Sequence, residues 1–399
     1  MTGLPNRAVI ASAVRTPVGA FGGTLKDVDA VELGAVAIRE ALARCAVDAA
    51  ELDEVLMGQV YTGGCGMNPA RIAAMKAAVP PEVPATTVNQ VCGSSLKCAV
   101  LASQAIATGD AKILLAGGME SMSRTPYLAA DARWGRRMGH GRLVDVMLRD
   151  GLWDFFNDCH MGQTAEHLAE QYGISRAQQD RYACRSQTRC QTARRAGRFE
   201  AEIVPVSVPQ RRGEPLRFRA DEHPRDGVTV ESLAKLKPAF RSDGTVTAGN
   251  ASGICDGAAA MVIMSQATAA ERGLQQMAVV RGFANVGVEP MRMGIAPAKA
   301  IGKLLAAAKL SMDQIDLLEV NEAFAAQTLA VAGELDWDEA KVNVNGGAIA
   351  LGHPLGASGA RITVTLLHEM QRRGCRLGIA ALCIGGGMGI AVLLERPAE

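Results

Sequence analysis

Aromatic residues make up only 4% of this 399-residue chain, and its formal net charge is +1. A charge so close to zero gives no overall field that would attract nucleic acid or an anionic membrane surface. No apolar run reaches the ~18–20 residues that a membrane-spanning helix needs. We therefore expect neither nucleic acid nor a membrane as a partner.

Familiar cofactor and metal motifs are also missing. The chain has no G-x-G-x-x-G opening a helix, no G-x-x-x-x-G-K-[ST] and no H-E-x-x-H. These absences argue against a simple nucleotide-binding oxidoreductase, a P-loop NTPase and a zincin. The ten cysteines form no C-x-x-C pair, in a chain too large to need disulfides. This pattern predicts a protein of the reducing cytoplasm.

The chain is rich in small and aliphatic residues, with 43 glycines and 48% hydrophobic residues. Its length exceeds what one hydrophobic core usually supports, which predicts two or more domains. Residues 41–55 and residues 304–318 each resemble the end of an Ala-rich helix followed by a strand. Residues 114–119 are similar in sequence to residues 382–388. The same order of landmarks in both halves predicts two similar α/β units.

Within each unit, strand-like apolar runs alternate with segments of helical periodicity. The predicted strands are 8–14, 85–88, 113–116, 315–320 and 378–382, and the predicted helices are 30–45, 96–107, 297–308 and 358–370. This alternation predicts a mostly parallel sheet with right-handed crossovers. An Arg-rich, turn-rich middle indicates an inserted loop domain. The predicted divisions are 1–119 plus 250–270 (first half), 120–249 (inserted domain) and 271–399 (second half).

Cys92 lies between the predicted strand 85–88 and the predicted helix 96–107. It should therefore sit at or just before a helix N-terminus, where unpaired N–H groups and the positive dipole end favour thiolate over thiol. Gly93 would let a substrate approach closely. Most cysteines of an intracellular protein are inert buried residues, and that alternative stays open for Cys92.

His353 stands in the middle of the glycine-rich segment 345–359, just before a predicted helix. Such a loop allows close approach of a ligand, and a neutral imidazole could take the thiol proton of Cys92 and return it. A purely structural histidine is the alternative. Cys383 ends a buried strand, and the glycines at 385–387 could form an oxyanion hole or merely a tight turn.

Asn321 follows the predicted strand 315–320, and the residues alone favour a plain helix N-cap there. All four positions follow strand ends, the edge at which open α/β sheets place their ligands. A cysteine with a histidine distant in sequence is the nucleophile and base that covalent catalysis requires. Cys383 adds a possible acid or base.

At these residues the sequence resembles the thiolase family, and within it the acetyl-CoA acetyltransferases. The motifs are Asn-Glu-Ala-Phe at 321–324, Gly-His-Pro at 352–354 and Cys-Ile-Gly-Gly-Gly at 383–387, and the resemblance covers nearly the whole chain. One departure is Ser95, where the family usually has glycine. The resemblance implies an α/β thiolase fold, with two similar βαβαβαββ halves in a five-layer α-β-α-β-α arrangement and an inserted loop domain. It also implies a homotetramer, built as a dimer of dimers.

The same resemblance implies a ping-pong acyltransferase that condenses two acetyl-CoA to acetoacetyl-CoA and CoA, reversibly. Cys92 would be acylated, His353 would activate it, and Cys383 would move the proton of the incoming methyl group. One oxyanion hole would be His353 with a water held by Asn321, and the other the N–H groups of Cys92 and Gly385. The partners would be acetyl-CoA, CoA as a co-substrate, and short 3-ketoacyl-CoA, with no cofactor or metal.

Family positions for CoA binding map onto His160, Met161, Arg225, Ser232, Leu236, Ala239, Phe240, Ala248, Ser252, Met293 and Phe324. We expect Arg225 near the adenine or the phosphates, and Met161 and Met293 at the acyl end. A degradative 3-ketoacyl-CoA thiolase of broader chain length is the main alternative. Less favoured are a ketosynthase, which pairs its cysteine with two histidines, a silent acyl-CoA-binding relative, and a thiol redox or metal-binding protein.

Overall fold

The computed structural model describes residues 6–397. Its α-helices are α1 (Ala30–Arg44), α2 (Pro69–Lys76), α3 (Ser94–Thr108), α4 (Met161–Gln171), α5 (Arg176–Arg195), α6 (Val230–Ala234), α7 (Gln266–Glu271), α8 (Ala296–Ala308), α9 (Ala325–Leu335), α10 (Ala348–Leu351) and α11 (Ser358–Arg373). Its strands are β1 (Ala8–Arg15), β2 (Gly19–Ala20), β3 (Glu54–Gly58), β4 (Ala85–Val88), β5 (Ile113–Ser121), β6 (Tyr127–Leu128), β7 (Val144–Asp145), β8 (Trp153–Asp154), β9 (Cys159–His160), β10 (Val206–Val208), β11 (Leu216–Phe218), β12 (Cys255–Ser265), β13 (Ala278–Gly287), β14 (Leu317–Val320), β15 (Leu377–Ile384) and β16 (Met388–Glu395). Every helix and strand predicted above is present, with ends that move by a few residues.

The main sheet has the strand order β14-β15-β16-β13-β1-β12-β5-β3-β4, with β2 paired to β12. Among the strands of residues 6–397, only β3–β4, β3–β5 and β14–β15 pair in parallel. Strand β12 runs antiparallel to β1 and β5, and β16 runs antiparallel to β13 and β15. The prediction of a mostly parallel sheet is therefore wrong. The reason is plain for β15 and β16, because a turn of a few residues can join only antiparallel neighbours.

The internal duplication predicted from the sequence appears as a repeated strand order. The series β3-β5-β12-β1 in the first half corresponds to β14-β15-β16-β13 in the second, with α1 and α3 matched by α8 and α11. The two series join where Val9 pairs with Val279 and Ile10 with Ala278. Cys92 and His353 consequently occupy related places, each just before one of the two central helices.

Helices α3 and α11 form the central layer of the molecule. Their apolar side chains, such as Leu96 and Ile362, share one buried cluster with the inner faces of both halves of the sheet. Helices α1 and α2 cover the outer face of the first half, and α8 and α9 cover that of the second. The sequence predicted no run long and apolar enough to span a membrane, but Val91–Thr108 meets both criteria. Of this segment 56% is buried in the fold, as in a core helix.

The segment predicted as a loop domain contains regular structure. It includes α4, α5, α6 and three two-stranded ribbons, β6–β7, β8–β9 and β10–β11, and β5 continues past residue 119 to Ser121. Arg15 of β1 is buried between Glu202 and Asp221, with N···O distances of 2.6 Å to each. This ion cluster fixes the inserted segment to the first half of the sheet.

Candidate active site

Cys92 lies in a tight turn between β4 and α3. Val91 has a φ of +47°, an uncommon conformation for a β-branched residue. The Ser94 hydroxyl stabilises the turn by donating to the Val91 carbonyl (2.6 Å) and accepting from the Gln90 N–H (2.9 Å). Helix α3 begins at Ser94, so the predicted place of Cys92, just before a helix N-terminus, is confirmed.

The thiol of Cys92 is neutral at rest. Burial raises its pKa to about 11, against a smaller lowering by the N–H groups of Gly385 and of Cys92 itself. The expectation that the helix end would favour a thiolate is therefore wrong, because the loss of hydration of the anion outweighs those donors. Cys92 needs a base to become a nucleophile.

His353 is held by its backbone and by one ring nitrogen. Its N–H donates to the Gly253 carbonyl (3.0 Å), and its Nδ1 lies 2.6 Å from Ser358 Oγ. The Ser358 hydroxyl also donates to the Pro354 carbonyl (2.8 Å). Because a hydroxyl has a single hydrogen, both contacts are satisfied when His353 donates from Nδ1–H. This tautomer leaves the lone pair on Nε2, where a base needs it.

The environment keeps His353 uncharged. Burial, and secondarily the positive charge of Arg361, lower the pKa of His353 to about 3. A neutral imidazole can accept a proton, whereas an imidazolium cannot. Cys92 and His353 are therefore a neutral thiol and a neutral base, not a preformed ion pair.

Asn321 contacts the Nε2 edge of the imidazole, with its Nδ2 3.3 Å from His353 Nε2. Helix α9 begins at Ala325 and its N-cap is Phe324, so the interpretation of Asn321 as a plain N-cap is wrong. Its N–H instead donates to the Ala381 carbonyl (2.9 Å), which continues the pairing of β14 with β15. Within residues 6–397 the buried Oδ1 of Asn321 has no hydrogen-bond partner.

Cys383 lies near the end of β15 and is buried. Burial, and then the neighbouring Cys92, raise the pKa of its thiol. The turn that follows reverses the chain into β16, with φ values of +85° at Gly386 and +83° at Gly387. It presents the N–H of Gly385 to the sulfur of Cys92.

These groups meet at one cavity of about 480 Å³, which is lined by Cys92, His353, Cys383 and Gly385. Asn321 is not on the wall. Of the residues predicted to bind CoA, the wall contains His160, Met161, Arg225, Ala239, Phe240, Ala248, Ser252, Met293 and Phe324. Ser232 and Leu236 lie outside it: Ser232 belongs to the capping box of α6, and the Leu236 carbonyl accepts from Arg176. Their contact with CoA stays a prediction.

The inner part of the cavity is apolar and closely packed. Met161, Met293 and Phe324 belong to the same buried cluster as Cys383. The Phe240 ring stacks on His160, with centroids 4.6 Å apart, and Gly162 makes room for it, because a Cβ there would lie 2.2 Å from the ring. The space beside the two thiols is therefore bounded by methionine and aromatic side chains.

Comparison with known proteins agrees with this geometry. Residues 8–267 match the family model described as "Thiolase, N-terminal domain", and residues 274–396 match "Thiolase, C-terminal domain". The chain belongs to the thiolase family. Both the resemblance found in the sequence and the predicted thiolase fold are confirmed.

Several bacterial acetyl-CoA acetyltransferases are similar to this chain. It is 58% identical to the "Acetyl-CoA acetyltransferase" of Pseudomonas aeruginosa, over 97% of this chain and 99% of that protein, and 55% identical to that of Cupriavidus necator over the same shares. The crystal structure of the Bacillus anthracis acetyl-CoA acetyltransferase superposes with a TM-score of 0.96 at 47% identity, covering 98% of this chain and 99% of that one. The crystal structure of human mitochondrial 3-ketoacyl-CoA thiolase superposes with a TM-score of 0.95 at 42% identity, covering 99% of this chain and 100% of that one.

Several residues of the thiolase site were not found from the sequence. The other wall residues are Ala20, Phe21, Met122, Gly151, Leu152, His223, Ala251, Gly253, Ile254, Ala323 and Leu355. Glu120, at the end of β5, is buried, and its carboxylate accepts from the N–H groups of Val60 (3.0 Å), Tyr61 (3.2 Å) and Gly356 (2.8 Å). It thereby connects the loop of His353 to the end of β3. Glu120 is the acidic residue near the end of an otherwise apolar strand, and this position is the signal that could have identified it from the sequence.

Proposed function

We propose that this thiolase catalyses the reversible condensation of two acetyl-CoA to acetoacetyl-CoA and CoA through an acetyl-cysteine intermediate. The observation that carries the proposal is the meeting of the Cys92 and Cys383 thiols, the His353 imidazole and the Gly385 N–H at a single cavity. Relatives named acetyl-CoA acetyltransferase over nearly their full length support this choice of substrate.

In the first half-reaction, the sulfur of Cys92 attacks the thioester carbonyl carbon. His353 accepts the thiol proton at Nε2 and then gives it to the sulfur of the departing CoA. The N–H groups of Cys92 and Gly385 stabilise the oxyanion of the tetrahedral intermediate. The neutral resting states of Cys92 and His353 suit this order of steps, because no buried charge has to be maintained before the substrate binds.

In the second half-reaction, His353 accepts the thiol proton of Cys383 at Nε2, and the Cys383 thiolate removes a proton from the methyl group of the second acetyl-CoA. The raised pKa of this thiol makes its thiolate a strong base, which a weakly acidic C–H requires. The enolate oxygen is stabilised by the Nε2–H of the His353 imidazolium and by a water that the free Oδ1 of Asn321 would hold. The enolate carbon then attacks the acetyl group, Cys92 leaves as the thiolate, and His353 gives it the proton held at Nε2, while Cys383 keeps the proton taken from the methyl group.

CoA would extend from the thiols along the wall formed by Ser252, Phe240 and His160 towards Arg225. The backbone of Arg225 is fixed by Gln187 (3.0 Å), and in the part of the chain that the structure describes no carboxylate pairs with its guanidinium. That group would remain available to a phosphate or to adenine. A broader-chain 3-ketoacyl-CoA thiolase is the alternative, and the close packing of Met161 and Met293 favours short acyl groups. Thiolytic kcat/KM across 3-ketoacyl-CoA substrates of increasing length separates the two.

The setting of the enzyme is proposed from its composition and its family. The cysteine pattern supports a cytoplasmic location, and family resemblance supports a homotetramer and a place in fatty acid metabolism. The proposed chemistry uses CoA as a co-substrate and requires neither a cofactor nor a metal ion.

The deciding experiment is intact-mass analysis after incubation with acetyl-CoA. We expect one acetyl group per chain, and none on the Cys92→Ser variant in which the weaker hydroxyl nucleophile replaces the thiol. Cys184→Ser is the matched control, because the half-buried Cys184 thiol donates a hydrogen bond to the Val228 carbonyl (3.4 Å), and a serine hydroxyl can keep that hydrogen bond. Acetylation that persists in Cys92→Ser would rule out the proposed nucleophile.

A further inference from the structure

His223 forms part of the cavity wall but has no role in the chemistry described above. Its Nδ1 lies 2.9 Å from the carbonyl oxygen of Ala350. A carbonyl can only accept, so His223 donates from Nδ1–H. Ala350 belongs to α10, whose last carbonyls have no partner within the helix. The imidazole of His223 thus anchors the C-terminal end of α10, three residues before His353.

The opposite edge of the same ring packs against a second segment that holds His353. A Cβ added at Gly253 would lie 1.9 Å from His223 Nε2, so the ring rests directly on the Gly253 backbone. The Gly253 carbonyl accepts the N–H of His353 (3.0 Å). His223 therefore touches both backbone segments that determine where the catalytic imidazole stands.

A second connection runs from the same CoA-binding segment to α10. The N–H of Arg225 donates to Gln187 Oε1 (3.0 Å), and Gln187 Nε2 donates to the Ile349 carbonyl (3.3 Å). Residues 223 and 225 are thus each connected to adjacent residues of α10, directly or through one side chain. The wall that would contact CoA and the loop that carries the base form one hydrogen-bonded unit.

We propose that His223 is a positioning residue for His353: the hydrogen bond from its Nδ1–H to the Ala350 carbonyl holds the base where it can reach Cys92. This inference rests on the proposed acetylation of Cys92. Displacing a catalytic group by roughly 1 Å can reduce a rate by about a hundredfold. Loss of the anchor at Ala350 should therefore lower the rate of the chemical step more than the affinity for acetyl-CoA.

The test is rapid-quench measurement of Cys92 acetylation across acetyl-CoA concentrations, for the unmodified chain, His223→Phe and His223→Asn. Phenylalanine keeps a ring on Gly253 but has no donor for Ala350, whereas the side-chain amide of asparagine can place an N–H close to the position of Nδ1. We expect His223→Phe to slow the maximal rate by about tenfold or more, with the half-saturating concentration changed by less than about threefold. His223→Asn should recover most of the rate. If the phenylalanine variant does not fold, His223→Leu takes its place.

Four results would count against the proposal or against its basis. An unchanged maximal rate in the variant without the donor would overturn it, as would failure of His223→Asn to recover the rate. A higher half-saturating concentration at an unchanged maximal rate would make His223 a CoA contact alone. If the unmodified chain is not acetylated at Cys92, the proposed function itself fails, and that outcome is distinguishable from the other three.

Discussion

Replacing Ser358 by alanine should slow the acetylation of Cys92 without removing any group that touches the substrate. Ser358 Oγ is the acceptor for the Nδ1–H of His353 at 2.6 Å, and its own hydrogen goes to the Pro354 carbonyl. In Ser358→Ala the Nδ1–H loses its acceptor inside the protein. The ring can then place its proton on Nε2, where it can no longer accept the proton of Cys92.

The size of the effect follows from the burial of both groups, because Ser358 is 0% and His353 5% exposed. A buried donor left without a partner costs about 1–3 kcal/mol. The contact also strengthens when His353 becomes an imidazolium, since bonds from charged donors are stronger, so the loss falls mainly on the transition state. With 1.4 kcal/mol per factor of ten, acetylation should be slower by about five- to a hundredfold.

The assay is the single-turnover rate of acetyl transfer to Cys92 at saturating acetyl-CoA, followed by mass. Ser95→Ala is the matched control. Ser95 is an equally buried serine whose Oγ accepts from the Ala360 N–H (2.8 Å) at the start of the same helix, α11. We expect it to affect stability more than the acetylation rate. An unaltered rate in Ser358→Ala, or an equal loss in Ser95→Ala, would refute the tautomer argument.

Two further predictions concern other groups in and near the site. Cys383→Ala should still be acetylated at Cys92 but should form no acetoacetyl-CoA, because only the second half-reaction needs that base; equal loss of both half-reactions contradicts the assignment. Glu319 lies 4.0 Å from Arg361. Burial raises the carboxyl pKa of Glu319 to about 8, because it outweighs the lowering of that pKa by the charge of Arg361. A raised folded-state pKa favours folding at low pH, so stability should fall by on the order of a few kcal/mol as pH rises from about 4.5 to about 8. Thermal unfolding across this range should show a smaller fall in Glu319→Gln, and parallel curves for both proteins would contradict it.

Much of the fold could be predicted because the signals are local. The buried strand β15 and the amphipathic helix α11 each follow from the spacing of apolar residues within one short segment. The order of these segments also revealed the duplication. Strand direction was harder, because β12 returns to the sheet after the inserted segment and pairs antiparallel with β5, a choice that depends on long-range packing.

The site could be predicted in its residues but not in its electrostatics. The sequence placed Cys92 before a helix, where the dipole argues for a thiolate, yet the energetic cost of burial exceeds that effect and becomes visible only in the folded chain. Asn321 looked like an N-cap because strand-Asn-helix is the usual N-cap pattern, whereas here the helix starts four residues later. The contact of Glu120 with Gly356 joins residues 236 positions apart, beyond the reach of any local pattern.

The duplication accounts for how nucleophile and base come together. Helices α3 and α11 are corresponding elements of the two halves and pack against each other in the central layer, so the loops that precede them open on the same cavity. Cys92 stands on one loop and His353 on the other. Two bonds hold the halves in this relation, Ala360 N–H to Ser95 Oγ (2.8 Å) and Gly356 N–H to Glu120 (2.8 Å). A neutral thiol has little Coulombic attraction to a neutral imidazole, so the pair cannot assemble itself. Its geometry must come from the packing of α3 against α11 and from the bonds that hold the two preceding loops in place.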